Sequence, residues 1–514
     1  MTSTAPRNLL FPAATLLIGV SLSAASALAQ QQLPSAPSAV LSAQEKAQRD
    51  EALGRPAGNG FVFTAPGTRP GPGGTMIEQA SDTPLPLSLD DAISLGLERN
   101  IRLRYDRANQ RSVRGLTLSV INVLTPNLTV DAQSSAQEVD LAAMGFKPAL
   151  FAKFASAGLI PAGFNIPLIV KVNTTQASVK MDQVLFNAAD FELYRGTGNE
   201  TNVVDLTLLN DRGDLILTVG ELYLQVLADQ ANAANTQAQA LSAKTLFDQA
   251  SAKQNAGVGI HLDTLRAQVE YQQRQQDALA AQNRQAKDTI QLARVIGLPA
   301  GQPIQLTDTA PFDELAMMDL DTAKATAYQH RKDLLSLQEQ VKVTGHVLRA
   351  VKYQRLPTLA FNGFYGVIGI TNASYHGDFS AEGSLKFPIF NEAAQRGQEE
   401  VADAQLLALH QRIEDLRVTI DAQIRASMLD VNAAEELVKV AQSNVTLSQQ
   451  ELSDARDRFN AGVDDNLPVV DAEATLTAAQ AQLVQSLYQY NVAKLQLARS
   501  SGVIETRYRT FLGK

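Results

Sequence analysis

The chain has 514 residues with 44 lysines and arginines against 53 aspartates and glutamates. The resulting net charge of −9 offers no footprint for a polyanion and argues against a nucleic-acid partner. Cysteine is absent, which excludes disulfides, thiolate nucleophiles, cysteine-ligated zinc and iron–sulfur clusters, and no apolar run beyond the extreme N-terminus approaches the roughly 18 residues of a membrane helix, which excludes a helical multi-span protein.

Residues 1–29 read as a secretory signal: Arg7 precedes the apolar stretch Leu16 to Leu22, and Ala27-Leu28-Ala29 gives a small-x-small cleavage pattern before Gln30. From 30 to 86 the composition shifts to Pro, Gly, Ser and Gln, with no period able to bury a face, and a disordered tether is expected. Ordered structure is expected to begin near Leu87, where Ser88 can cap a helix whose first turn carries Asp90 and Asp91.

After Pro126, Leu128, Val130, Ala132 and Ala136 alternate with polar residues, which predicts a half-greasy strand. Its partner, about Ile169 to Phe186, loses phase near Thr174 to Gln176, which points to a bulge there. Between them, about Val139 to Leu168 is predicted to be an enlarged loop rich in apolar residues, among them Phe146, Phe151, Phe154 and Phe164. A long helical stretch then runs to Asn255-Ala256-Gly257-Val258 and a second helix returns from it. Residues 319–355 are helix-like until Pro357, and from Phe379 to Ile389 the alternation is strict, aromatics one way and charges the other. Roughly 70 residues without proline follow Asn391, enough for a helix of about 100 Å, which no compact domain contains. The returning helix carries a thin seam, Leu476, Ala479, Leu483, Leu487, Tyr490 and Leu497, suited to coiled-coil neighbours.

These segments are one pattern used twice. Asn255-Ala256-Gly257-Val258 recurs as Asn460-Ala461-Gly462-Val463, and Gln291-Leu292-Ala293-Arg294 as Gln496-Leu497-Ala498-Arg499, both at an offset of 205 that Gly297 and Gly502 share. The expected organisation is a first repeat over 87–300, a connecting segment 301–318, a second repeat 319–504 and a tail 505–514. Two hairpins supply four strands, which cannot close a membrane barrel, and an open edge in lipid leaves backbone groups unpaired. More than one chain must contribute.

With these motifs in this order twice, above all Phe459 to Val463 followed by Val469-Val470-Asp471-Ala472 and the hairpin exit Phe387-Pro388-Ile389-Phe390-Asn391, the sequence resembles the TolC-like outer membrane efflux protein family over nearly all of Leu87 to Ile504. The resemblance implies a mainly α fold with a small transmembrane β part: tandem-duplicated helical hairpins forming a trimeric α-barrel, with four strands per chain entering a 12-stranded outer membrane β-barrel. It implies a homotrimer in outer membrane lipid, with most of the chain in the periplasm and the loop between the first two strands facing outward. It further implies docking of the helix tips, Asn255 to Val258 and Asn460 to Val463, to a periplasmic adaptor and an inner-membrane transporter. Asp263 and Asp471 match acidic positions of the pore aperture, to which this chain adds Asp464 and Asp465; the same acids would equally serve as charges at a helix N-terminus.

Three departures stand out. The N-terminal cysteine of lipidated members is missing, Asp464-Asp465 stands where some members hold an arginine, and tryptophan is absent. The aromatic belt must therefore use Phe361, Phe364, Tyr365, Tyr375, Phe379 and Phe387.

No constellation points to an enzyme. His261, His330, His346, His376 and His410 lack a neighbouring acid or histidine at metal-ligand spacing, the glycine-rich stretches do not join a strand to a helix, and no cofactor is implied. The rival reading, a soluble periplasmic coiled-coil scaffold or the adaptor itself, accounts for the helices and leaves the two alternating hairpins without a purpose.

Overall fold

The computed structural model describes residues 82–140, 143, 156–157, 169–257, 259–299, 301–308, 312–316, 318–370, 374–461, 463 and 467–513. The expected leader, nearly all of the tether and most of the loop from Val139 to Leu168 lie outside the described residues.

Strand β1 (Leu85–Leu87) opens the fold and pairs in parallel with β4 (Ile304–Leu306), a two-stranded sheet that three-residue segments cannot announce by periodicity. Ser88 caps helix α1 (Leu89–Arg99) in a reciprocal capping box with Asp91, as expected. Asn100 breaks the helix, accepting from the Arg102 amide and donating to the Val295 carbonyl, before α2 (Ile101–Leu124) runs to the sheet. The second repeat repeats this device. The single helical stretch expected over 319–355 is two helices, α5 (Leu320–His330) and α6 (Lys332–Tyr353), separated at Arg331, whose guanidinium holds Asp333 and Gln423. Neither proline nor glycine marks that break; a residue 171 positions on, Gly502, lies against it, where a Cβ would come within 2.8 Å of the Arg331 amide nitrogen.

The long helices are α3 (Ala188–Asn255, 68 residues) and α7 (Glu392–Asn460, 69 residues), each about 100 Å long. Their returns are α4 (His261–Ile296) and α8 (Leu467–Ser500), both closed by a left-handed glycine, Gly297 at φ 78° and Gly502 at φ 74°. Helix α9 (Ile504–Phe511) ends the described chain. The largest core gathers where α1, α3, α4, α7, α8 and the β1–β4 pair meet, around Tyr223, Leu292, Ile296, Tyr490 and Leu495. Tyr223 ties the small sheet to it, donating to the Leu87 carbonyl and to Asp308 at 3.0 Å.

Strands β2 (Asn127–Asp140), β3 (Ile169–Phe186), β5 (Thr358–Ile370) and β6 (Tyr375–Lys386) form one antiparallel sheet in the order β2-β3-β5-β6, so the two predicted hairpins lie side by side, and among the described residues the outer edges of β2 and β6 are free. The bulge lies elsewhere than expected. Register is unbroken at Thr174 to Gln176, which face Ser135, Ser134 and Gln133 and share hydroxyl and amide hydrogen bonds with them; it shifts between Val184 and Phe186, against β5. The loss of phase in the sequence was a polar rung in a regular ladder. The alternation predicted through Ile389 also stops early, at Lys386, because Pro388 has no amide to donate.

Candidate functional site

The register sorts the sheet into two faces. One carries Leu128 and Val130 of β2, Val179 and Met181 of β3, Phe361, Tyr365 and Val367 of β5, and Tyr375, Phe379 and Ala381 of β6. Tyr365 and Phe379 are directly opposite one another and 70% and 75% exposed, and Val130 is 83% exposed, so among the described residues much of this band is left uncovered. The other face is polar: Lys180 pairs with Asp131 at 2.7 Å, and Asn362, Glu382 and Asp378 share it. Of the six belt aromatics, Phe361, Tyr365, Tyr375 and Phe379 fall on the apolar face. Phe364 falls on the polar one, opposite Lys180 and Ser380, because one step along a strand reverses the side chain. Phe387 lies past the end of β6, where it is exposed. Residue type alone selected Phe364, and the parity of the strand sets it on the face away from Phe361, Tyr365 and Phe379. The aliphatic part of the band was missing from the sequence-based set.

At the far end of the helices, α3 closes with Asn255 and Ala256, and Gly257 takes φ 79°, a conformation that glycine adopts without a Cβ penalty. Helix α4 starts at His261 with no side-chain cap on Ile260, and Asp263 stands in its first turn, half-buried, 3.9 Å from Arg266. Asp471 differs. It is the fifth residue of α8, exposed, in a helix whose first turn has no acid. Asp263 thus stands where negative charge suits a helix N-terminus, and Asp471 lies past the first turn of α8. Val258, Gly462, Asp464 and Asp465, and the side chain of Asn460, lie outside the described residues; Ala461 caps α7 and Val463 is exposed beside it.

The two tips are fastened to each other. Phe459 packs against Leu246, Ala250 and Ala267 of the first hairpin and against Leu452, Val469 and Ala472 of the second, and Lys253 sets its ammonium 4.1 Å from the Phe459 ring. Glu473 accepts from Arg456 at 2.7 Å and from Ser242 at 2.9 Å. Apart from Phe459, none of these contacts had a signal in the sequence: Lys253 to Phe459 and Ser242 to Glu473 join different repeats, and Arg456 to Glu473 joins two helices of the second.

Near the sheet, Glu192 of α3 is buried against α6, accepting from Arg349 at 2.9 Å and lying 2.7 Å from His346 Nδ1. Burial alone would raise its carboxyl; the hydrogen bonds from Arg349 and His346 outweigh that and hold it below the usual carboxylate range. The acid that accompanies His346 is 154 residues away, beyond any spacing rule. Among the described residues no group of three His, Asp or Glu side chains is placed to hold a metal ion, and no helix is long and apolar enough to cross a membrane.

An apolar-faced antiparallel sheet on a duplicated pair of long helical hairpins is a specific combination, and known proteins share it. Residues 323–503 match the sequence pattern of the Outer membrane efflux protein family. Over that stretch the chain is similar to that family. Outer membrane protein TolC of Escherichia coli is 21% identical over 363 residues, covering 65% of this chain and 71% of TolC. The alkaline protease secretion protein AprF of Pseudomonas aeruginosa is 23% identical over 343 residues, covering 64% of this chain and 70% of AprF. Among solved structures, the Campylobacter jejuni CmeC outer membrane channel superposes with a TM-score of 0.69 at 14% identity, over 81% of this chain and 86% of CmeC. At that identity the likeness speaks for the fold alone.

Proposed function

We propose that the protein is the outer membrane channel of a tripartite efflux or type I secretion system, carrying substrates from a periplasmic adaptor and inner-membrane transporter to the exterior. One observation carries the reading: a sheet with an exposed apolar face and two free edges sits at one end of helices about 100 Å long. Only closure with further copies in lipid satisfies both the edges and the face. A soluble scaffold would leave Val130, Tyr365 and Phe379 in water.

Duplication supports the homotrimer. Helix α8 packs on α7 and also on α3, whereas its counterpart α4 packs extensively on α3 and has no comparable packing on α7 of its own chain. Val269, Leu279 and Ile290 of α4 and Val418, Leu429 and Val440 of α7 are exposed. The α8–α3 seam within one chain is thus repeated as α4 against α7 of the next, and three chains supply the twelve strands of the family's barrel. In this assembly, residues 1–29 are a cleaved leader, the residues from 30 to the start of the described chain a tether, shorter than the expected 30–86 because Leu85 already pairs in β1, and about Val139 to Leu168 an outward loop.

The tips at Asn255 to Val258 and Asn460 to Val463 meet the adaptor, and Asp471 contributes one carboxylate per chain to a ring of three at the aperture, attracting cations. Single-channel recording on Asp471→Ala in planar bilayers tests this. Weaker cation selectivity and less block by multivalent cations are expected; unchanged selectivity and block remove Asp471 from the aperture. A monodisperse monomer in mild detergent would overturn the assembly itself.

A further inference from the structure

Where the first coiled coil leaves the core, α3 and α4 run antiparallel. Their register is fixed by Thr264 donating to the Ala250 carbonyl, by Gln254 beside His261 and by Gln282 beside Gln237. Continued toward the core, that register sets Asp229 of α3 against Asp288 of α4. Asp229 is only 5% exposed, and although Gln225 donates to its Oδ1 at 3.2 Å, its Oδ2 is buried without a hydrogen-bond partner. A buried acceptor left empty beside a second carboxylate is costly unless a proton lies between them.

The same place in the second repeat has no acids. At the offset of 205, Asp229 corresponds to Ala434 and Asp288 to Ala493, both buried. The alignment holds on either side: Val226 and Ala233 correspond to Val431 and Val438, all buried, and Leu292 to Leu497, both buried.

We propose that Asp229 and Asp288 form a proton-sharing latch at the root of the first coiled coil, closed when one proton bridges the two carboxylates and loosened when both are ionised. It extends beyond the channel assignment and does not depend on it. The groups facing Asp229 are few. Asp288 and Arg284 approach from α4, Tyr488 from α8, and Gln225 stands on its own helix, with Glu221 one step further out beside Tyr488. Burial, then the hydrogen bond and charge of Asp288, push the Asp229 carboxyl up to about 6, against the weaker pull of Gln225 and Arg284. An unfolded aspartate titrates near about 3.9, so the folded chain holds the proton more tightly. The latch is closed at low pH, and its stabilisation is lost as pH rises through about 6. Above that, both carboxylates repel and draw in water, and α3 and α4 part more readily at their root.

Hydrogen exchange on the full-length protein in detergent tests this, comparing about pH 5 with about pH 7.5 after correction for intrinsic rates. Peptides covering 221–235 and 280–292 should exchange roughly tenfold faster at the higher pH. Peptides covering 426–440 should not change. In Asp229→Asn the amide donates to Asp288 at either pH, so protection should stay at the low-pH level; Asp288→Asn, donating the other way, serves if the first variant does not assemble. No change in the first root of the unaltered protein, an equal change in both roots, or a response that persists in the asparagine variants would each overturn the latch.

Discussion

The roots of the two coiled coils occupy equivalent positions and bury opposite chemistry. In the first, Asp229 faces Asp288 and its carboxyl is pushed up to about 6. In the second, those positions are Ala434 and Ala493, and the next residue, Lys494, is fully buried with its ammonium 3.2 Å from the Asp313 carbonyl; burial pushes it down to about 8. The first repeat has Thr289 in that place. What the repeats share is backbone: left-handed glycines at 297 and 502, and helix breaks at Asn100 and Arg331. A turn or cap tolerates few residues, whereas a position inside a seam tolerates any side chain whose volume fits and whose polar atoms are served. Duplication therefore kept the geometry and let the buried charges diverge.

The largest effect should come where the repeats join. Gly366 of β5 lies opposite Ser178 of β3, and a Cβ there would sit within 2.6 Å of the Ser178 Cβ and collide with the Ala177 carbonyl. Gly366→Ala should cost more than about 3 kcal/mol and prevent the sheet from closing, read as loss of the heat-modifiable oligomer on a gel. Gly383→Ala, with no atom within 4 Å of its Cβ, should leave that band in place. Next, transplanting the acids tests whether the second root can carry them. Ala434→Asp with Ala493→Asp should lose roughly 2–4 kcal/mol at neutral pH and recover part of it at low pH, seen in denaturant midpoints. A pair of acids as well tolerated there as alanine would mean that the seam is wetter than its burial implies.

The starts of the two long helices differ in the same sense. Glu192 is buried, whereas Glu392 is half-exposed and pairs with Arg355 and Arg396. Glu192→Gln should cost about 1–3 kcal/mol, because Arg349 and His346 lose an anionic partner, while Glu392→Gln should leave the melting temperature unchanged. The depressed carboxyl of Glu192 contributes stability in full above the ordinary carboxylate range, and that contribution should vanish as pH falls through its lowered value. The smallest effect concerns Lys494. Its folded value of about 8 lies below that of an unfolded lysine, so the second root should gain protection as pH rises from about 8 toward about 10, opposite in sign to the first root. Lys494→Met should abolish that gain.

Much of this was legible beforehand for identifiable reasons. Helix ends at Ser88, Gly297 and Gly502 carry residues whose chemistry acts within four positions, and strands β2 and β6 show a period of two. Strands β1 and β4 are too short for a period, and the break at Arg331 has no local breaker. The polar rung at Thr174 to Gln176 imitated a bulge, since periodicity reports side-chain chemistry rather than backbone register. At the candidate site, the tips followed from the repeated motif, while the fastening of Lys253, Phe459, Arg456 and Glu473 did not.

By itself the sequence determined the duplication, the lengths of the helices, the two hairpins and the glycine turns, because each is encoded in residues a few positions apart. Tertiary structure alone decided that β3 pairs with β5, that Phe364 turns to the polar face with Lys180, and that Asp229 meets Asp288 across a seam. Those outcomes depend on which of several compatible registers buries most apolar surface and leaves fewest polar groups unserved, a balance summed over contacts that can be more than a hundred residues apart.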